Sequence, residues 1–389
     1  MATDDKGQSL ATRLIHAKKN DGSGFASLSM PVYRGSTVVF GSVEELENPR
    51  PGQYRYGLDG TPTTRELAAR LAEIEGANDV ILAPSGLAAI SLTVLAFAKS
   101  GGHMLFPACA YGPTLALAHG KLRELGVEIE VYDPMIGGGI ADLIRDNTLL
   151  VWTESPGSIT MEVQDIAAIA AAAHARGVPV AIDNTYGAGL LFDAFGAGVD
   201  ISVQALTKYQ GGHSDVLMGS VATRDPAIAV RISRTNHLLG MGVSPDDCAL
   251  VLRGLKTLDL RLRHMGESAL TVARWLKDRP EVTAVLHPAL PDCAGHEIWQ
   301  RDWTGSASIF SIILGHWTRE QLVRFVDALT LFPIGFSWGG ANSLVCTYKE
   351  LPRPTPETGP LLVRLNIGLE DPADLIADLK QALAQASSR

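Results

Sequence analysis

Asp200-Ile-Ser-Val-Gln-Ala-Leu-Thr-Lys-Tyr209 reads as a short apolar strand that runs straight into a threonine and a lysine. A similar strand ends 25 residues earlier on Asp183, within Ala181-Ile-Asp-Asn-Thr185. A lysine amine at the C-terminal edge of a strand can condense with an aldehyde cofactor. A carboxylate on a neighbouring strand can keep a pyridine nitrogen protonated. Lys208 and Asp183 together point to pyridoxal phosphate.

Working outward, strands and helices alternate at the spacing of βαβ units from about residue 63 to about 240. Strands are expected at 80–83, 104–106, 149–153 and 178–182, with helices at 87–98 and 165–175. Before this block, residues 1–58 carry scattered Gly and Pro, with Asn48-Pro-Arg-Pro-Gly52 as a turn, and read as an extended arm. After Val243-Ser-Pro-Asp246 the pattern changes to one long basic helix, 249 to about 276, followed by mixed elements such as a strand at 309–314 and a helix at 319–328. The expected fold class is therefore α/β, with an arm (1–58), a large domain built on a mostly parallel sheet (59–244) and a smaller C-terminal α+β domain (245–389).

Composition narrows the function classes. The chain has 389 residues, 46% of them hydrophobic, enough for sizeable cores. Its 33 basic and 42 acidic residues give a net charge of −9, with no basic stripe to track a phosphate backbone, so nucleic acid is not the expected partner. Cys109, Cys248, Cys293 and Cys346 are scattered without metal-ligand spacing, and neither a disulfide framework nor a metal site is expected. The acidic N-terminus lacks a secretory core, and the most apolar stretch, 166–174, is about nine residues long against the roughly 20 of a membrane span. A cytoplasmic protein without a membrane segment is the expectation.

Other candidates fall at the same sheet edge. Ser85-Gly-Leu87 lies between a strand and a helix, and reads either as a helix cap or as a phosphate cradle. Thr207, beside the lysine, offers a hydroxyl to the same phosphate or simply fills a strand position. Tyr111 opens a helix after a strand and either stacks on a flat heteroaromatic ring or packs in the core. Arg364, in Leu361-Leu-Val-Arg-Leu-Asn-Ile-Gly368, emerges from an apolar strand, where a guanidinium needs a carboxylate: an internal one, or that of an amino-acid substrate. Ser337 and Trp338 precede it and can line the same pocket.

With these motifs in order, the chain resembles the Cys/Met-metabolism family of pyridoxal-phosphate enzymes, of fold type I. Carrying the resemblance are Tyr56 with Gly60-Thr-Pro-Thr63, Ser85-Gly-Leu87, Ala110-Tyr-Gly-Pro-Thr114, Glu154-Ser-Pro-Gly-Ser-Ile-Thr-Met-Glu162, Ile182-Asp-Asn-Thr185 and Thr207-Lys-Tyr209 with Gly212-His-Ser-Asp215. Arg253-Gly-Leu-Lys-Thr-Leu258, Phe336-Ser-Trp-Gly-Gly340 and Arg364-Leu-Asn-Ile-Gly-Leu-Glu-Asp371 complete it. The match covers nearly the whole chain.

The resemblance implies roles: Lys208 as the lysine that holds the cofactor and takes the Cα proton, Asp183 at the ring nitrogen, Tyr111 on the ring. Ser85, Gly86, Leu87, Thr185 and Thr207 would also contact the cofactor. Arg364, with Ser337 and Trp338, would take the substrate carboxylate. Tyr56 would reach the cofactor phosphate of a neighbouring subunit. The family's arginine two residues on is here Leu58, with Arg55 as the candidate replacement, and Ala205 stands where many members have a serine. Ser155-Pro-Gly-Ser158 and Ser337-Trp-Gly-Gly340 resemble the β-lyase branch, which implies α,β-elimination of an amino-acid thioether such as L-cystathionine to L-homocysteine, pyruvate and ammonia, in methionine biosynthesis. γ-Elimination or γ-replacement is the alternative, and a non-catalytic binding protein on the same scaffold a more distant one. A homotetramer, as a dimer of dimers with shared sites, is the implied assembly.

Overall fold

The computed structural model describes residues 8–16, 27–348 and 361–387. The parts of the expected arm at 1–7 and 17–26 lie outside them. Among the described residues, seven strands form one sheet: β1 (Asp79–Ala83), β2 (His103–Pro107), β3 (Glu128–Tyr132), β4 (Thr148–Glu154), β5 (Val180–Asp183), β6 (Ile201–Gln204) and β7 (Gly219–Thr223). Their order is β1-β7-β6-β5-β4-β2-β3. Only β7 is reversed, pairing antiparallel with both β1 and β6. β1 to β6 consequently run the same way, and their C-terminal ends share one edge, where ligands of open α/β sheets bind.

The middle strands are buried along their whole length, as β5, β6 and β7 show. Sequences such as Val180-Ala-Ile182 suit that setting, since a parallel strand covered by helices on both faces gains from apolar side chains on both. The helix Pro62–Glu75 begins with a Thr61 capping box and ends on Gly76 in the left-handed conformation, and it buries Leu67, Leu71 and Ile74. Full burial of one such side chain stabilises by roughly 1.5–3 kcal/mol.

The second sheet has four strands, β8 (Ala284–Leu286), β9 (Ile309–Ile313), β10 (Leu344–Thr347) and β11 (Leu362–Asn366), in the order β10-β11-β9-β8 and antiparallel throughout. It packs with the C-terminal helix Pro372–Ser387 and the helix Arg319–Asp327 over a separate core containing Phe310, Phe325 and Leu379.

The structure corrects two sequence expectations. The long basic helix is two, Pro245–Leu255 and Leu258–Lys277. The carbonyl of Gly254 accepts the Arg261 guanidinium at 2.8 Å and the Thr257 hydroxyl at 3.3 Å, so side chains take over part of the ladder at the break. The arm is not wholly extended: Leu10–Ile15 and Val43–Glu47 are short helices, each with a serine N-cap, and Leu14 is buried in the main core. All four cysteines are unpaired and buried. No described helix is long and apolar enough to cross a membrane.

Candidate active site

At the shared strand edge lies a cavity of about 670 Å³, closed on its other side by β11 and the segment 336–338. Ser85, Gly86, Leu87, Tyr111, Asp183, Thr185, Thr207, Lys208, Ser337, Trp338 and Arg364 all line it. The topology explains the gathering. Ser85 follows β1, Tyr111 follows β2, Asp183 ends β5 and Lys208 follows β6, so residues far apart in sequence meet at neighbouring strand ends.

Lys208 stands in a tight turn, its N–H donating to the Ala205 carbonyl at 3.0 Å. Its amine donates to the Ser337 hydroxyl at 2.8 Å and lies 5.4 Å from the centre of the Trp338 ring. Burial, assisted by the positive charge of Arg364 and opposed by Asp183, lowers its pKa to about 8. A usable fraction of neutral amine is thus present near neutral pH, as both a nucleophile and a base require. Ser337 holds its position with φ of +85°, a left-handed conformation unusual for a serine. Gly339 also has positive φ, and a Cβ there would approach the Lys208 and Tyr209 backbone at 3.1–3.2 Å.

Asp183 is 9% exposed. One carboxylate oxygen accepts both the N–H (3.0 Å) and the hydroxyl (2.5 Å) of Thr185, whose hydroxyl in turn accepts the Ala205 N–H at 2.9 Å. The other oxygen has no protein partner among the described residues. Burial raises the Asp183 pKa, while Thr185 and the Lys208 charge hold it down.

The helix Gly86–Phe97 begins at the cavity wall with no acidic residue in its first turn. Ser85 caps it, its hydroxyl accepting the Ala88 N–H at 3.0 Å, which leaves the hydroxyl hydrogen free to donate. The Gly86 and Leu87 N–H groups, in the first turn, have no helical acceptor and form an anion cradle with the helix dipole. Gly86 is needed there, because a Cβ would stand 2.5 Å from the Ala205 methyl. Thr207 is more committed than its sequence suggests: its hydroxyl accepts the Met218 N–H at 3.0 Å and donates to the Met218 carbonyl at 3.2 Å.

Arg364 sits mid-strand in β11, opposite Cys346 and Ser311. It is 8% exposed. Its guanidinium donates to the Ser158 carbonyl at 3.4 Å and lies 5.5 Å from the Tyr348 ring centre. Among the described residues no carboxylate forms an ion pair with it, so of the two sequence readings the internal salt bridge is absent. A buried guanidinium without a counter-ion is costly, and a substrate carboxylate would complete it.

Tyr56 and Arg55 are not brought to this cavity. Tyr56 is 53% exposed and bridges Thr37, Arg55 is exposed, and Leu58 lines a separate cavity of about 230 Å³ with Asp59, Arg65 and His237. Sequence reasoning gave no role of their own to two lining residues, Glu154 and Tyr348. Glu154 ends an apolar strand just as Asp183 does, a signal that was available. Tyr348 follows the strand that pairs with the one carrying Arg364, which no spacing rule reveals.

The groups present suit pyridoxal phosphate. A desolvated amine, a buried carboxylate with a free oxygen, an uncapped pair of helix N–H groups and a tyrosine line one space of suitable size. The sequence pattern of the Cys/Met metabolism PLP-dependent enzymes matches residues 11–384. The cystathionine beta-lyase of Bordetella avium is 42% identical over 99% of this chain and 100% of its own length. The L-alanine/L-glutamate racemase of Wolbachia pipientis is 36% identical over 95% of this chain and 94% of its own. A crystal structure of cystathionine gamma synthase from Xanthomonas oryzae, in complex with aminoacrylate and cysteine, superimposes with a TM-score of 0.91 at 29% identity, covering 98% of this chain and 99% of that one. The chain belongs to the Cys/Met metabolism family of pyridoxal-phosphate-dependent enzymes.

Proposed function

We propose that this enzyme is a carbon–sulfur β-lyase acting on L-cystathionine or a similar cysteine thioether. The observation that carries the reading is Arg364, a buried guanidinium without an ion-pair partner among the described residues, facing the same cavity as the Lys208 amine. It marks a seat for an amino acid's carboxylate beside a base. Trp338 and the likeness to the Bordetella beta-lyase favour β- over γ-chemistry.

Pyridoxal phosphate, when bound, supplies an electron sink for the carbanion at Cα. Asp183 would offer its free oxygen to the ring nitrogen and keep that nitrogen protonated. Gly86, Leu87 and Ser85 would hold the phosphate, while Arg364 would seat the substrate carboxylate and so orient the Cα–H bond. Lys208, as the neutral amine, takes the Cα proton. The Cβ–S bond then breaks and the sulfur leaves as thiolate. Two donors stand by to protonate it: the Lys208 ammonium just formed, and Tyr111, whose hydroxyl burial and the Asp183 charge keep protonated. Overall, one water is consumed and L-cystathionine yields L-homocysteine, pyruvate and ammonia.

Incubation of the purified enzyme with pyridoxal phosphate and L-cystathionine, with thiol, pyruvate and 2-oxobutanoate assayed together, tests the proposal. Equimolar thiol and pyruvate are expected. Thiol with 2-oxobutanoate moves the enzyme to the γ branch, and racemisation of L-alanine without pyruvate aligns it with the Wolbachia relative. Lys208→Ala is expected to lose turnover by at least roughly 10³-fold.

A further inference from the structure

Tyr111 reaches the cavity with its side chain unheld. Among the described residues nothing forms a hydrogen bond with its hydroxyl, and the residue is 42% exposed. Its backbone is held firmly. Tyr111 is the N-cap of the helix Gly112–Leu117, without a side-chain cap of its own, and its N–H donates to the Glu154 carboxylate at 2.7 Å. This contact joins segments 43 residues apart in sequence.

Glu154 is itself fixed. It is the last residue of β4 and the register partner of Asp183 on β5. Its carbonyl accepts the Gln164 amide, which also reaches the Cys109 sulfur at 3.6 Å in the turn that leads to Tyr111. The carboxyl is buried and lines the cavity. Two carboxyl groups thus end adjacent parallel strands, and they are held differently. Asp183 has two Thr185 bonds and the Lys208 charge, whereas Glu154 has one backbone bond and the Arg364 charge. Burial and the Asp183 charge raise the Glu154 pKa well above the usual carboxylate range, and burial raises that of Asp183 as well.

We propose that Glu154 is a positioning residue, which clamps the Tyr111 backbone to the strand beside Asp183 and thereby sets where the phenol stands over the cofactor. The inference rests on the reading of Tyr111 as a residue of this site. Its physical basis is that a loosely anchored ring shifts by fractions of an ångström when its backbone does, and a misplacement of about 1 Å can cost about 10²-fold in rate.

Two variants of similar volume separate the clamp from charge. Glu154→Gln keeps an acceptor for the Tyr111 N–H, while Glu154→Met removes it without leaving a hole. The clamp predicts that Glu154→Gln stays within about threefold of wild type in kcat, whereas Glu154→Met loses roughly 30-fold in kcat with KM changed by less than about threefold. It further predicts that Glu154→Met, loaded with pyridoxal phosphate, loses at least about half of its visible circular dichroism, which reports the ring's asymmetric surroundings. In a Tyr111→Ala background, Glu154→Met should add nothing.

An unchanged dichroic band in Glu154→Met, an equal kcat loss in the Tyr111→Ala background, or a Glu154→Gln as defective as Glu154→Met would each overturn the clamp. The dichroic measurement needs no substrate, so it tests the clamp independently of whether cystathionine is the substrate.

Discussion

Residues expected to serve one site come from two regions that the structure treats in opposite ways. The edge of the large sheet holds Ser85, Tyr111, Asp183 and Lys208 within hydrogen-bonded turns and strand ends around a single cavity. The arm leaves Tyr56 and Arg55 outside it, and exposes large apolar side chains: Leu28 is 82% exposed and Val39 89%. The arm is fastened to its own chain by polar contacts, including the Arg34–Asp246 ion pair and Tyr33 N–H to the Thr63 hydroxyl at 2.9 Å. A strand end is placed by its own ladder, while an exposed apolar segment finds its burial on another surface. One chain therefore contains the amine, carboxylate and guanidinium of the site. We propose that the arm's contribution goes to the site of a second copy.

Four experiments would sharpen or break this contrast. The largest effect is expected at the sheet edge. Asp183→Asn should lower kcat by roughly 10³-fold, since a ring nitrogen without its carboxylate no longer stays protonated. A loss below tenfold would remove Asp183 from its role. Next, Arg364→Leu should raise KM about 100-fold, in line with about 3 kcal/mol for a charge-assisted pair. A changed kcat with constant KM would instead place Arg364 away from the substrate carboxylate.

The third concerns pH. The Lys208 pKa is lowered to about 8, so the amine is mostly protonated at pH 7 and mostly neutral at pH 9. Cofactor capture by the cofactor-free protein, followed as the growth of the visible band, should accelerate about tenfold between these values and level off above. A lysine at its ordinary value would show no plateau in that range.

The fourth tests the arm directly. If Tyr56 serves a neighbouring subunit, co-expressed Lys208→Ala and Tyr56→Ala chains should regain about a quarter of wild-type activity, because half the random pairs carry one intact site out of two. Two inactive variants that stay inactive when mixed would keep the arm within its own chain.

The contrast also explains what could be read in advance. Apolar runs ending in Asp183 and Lys208 pointed to the parallel strands and to the edge where both residues line one cavity, because burial on both faces forces a near-continuous apolar sequence and makes the terminal polar residue conspicuous. The same logic applies to Glu154, whose strand Thr148-Leu-Leu-Val-Trp-Thr-Glu154 is as apolar, yet its register against Asp183 is a property of pairing that sequence spacing does not encode. The break between Leu255 and Leu258 is hidden in the sequence because the helical periodicity continues across it, and Gly254 beside it packs closely on another segment. A Cβ on Gly254 would lie 2.1 Å from the Gln210 carbonyl, a contact made only once the chain has folded. Thr207 lines the cavity as its position suggested, while its hydroxyl bonds with Met218, eleven residues on, are a tertiary contact that sequence spacing does not encode.

The tight meeting of Gly86 with Ala205 works as a caliper. One jaw is the helix start that would grip the phosphate, the other the turn three residues ahead of the amine, and there is no slack between them for even one methyl group. A bound cofactor has a fixed length from phosphate to reactive carbon, so a gauge set by backbone contact holds that measure constant however the surrounding loops drift. A side chain added at Gly86 would force the jaws apart and reset the gauge.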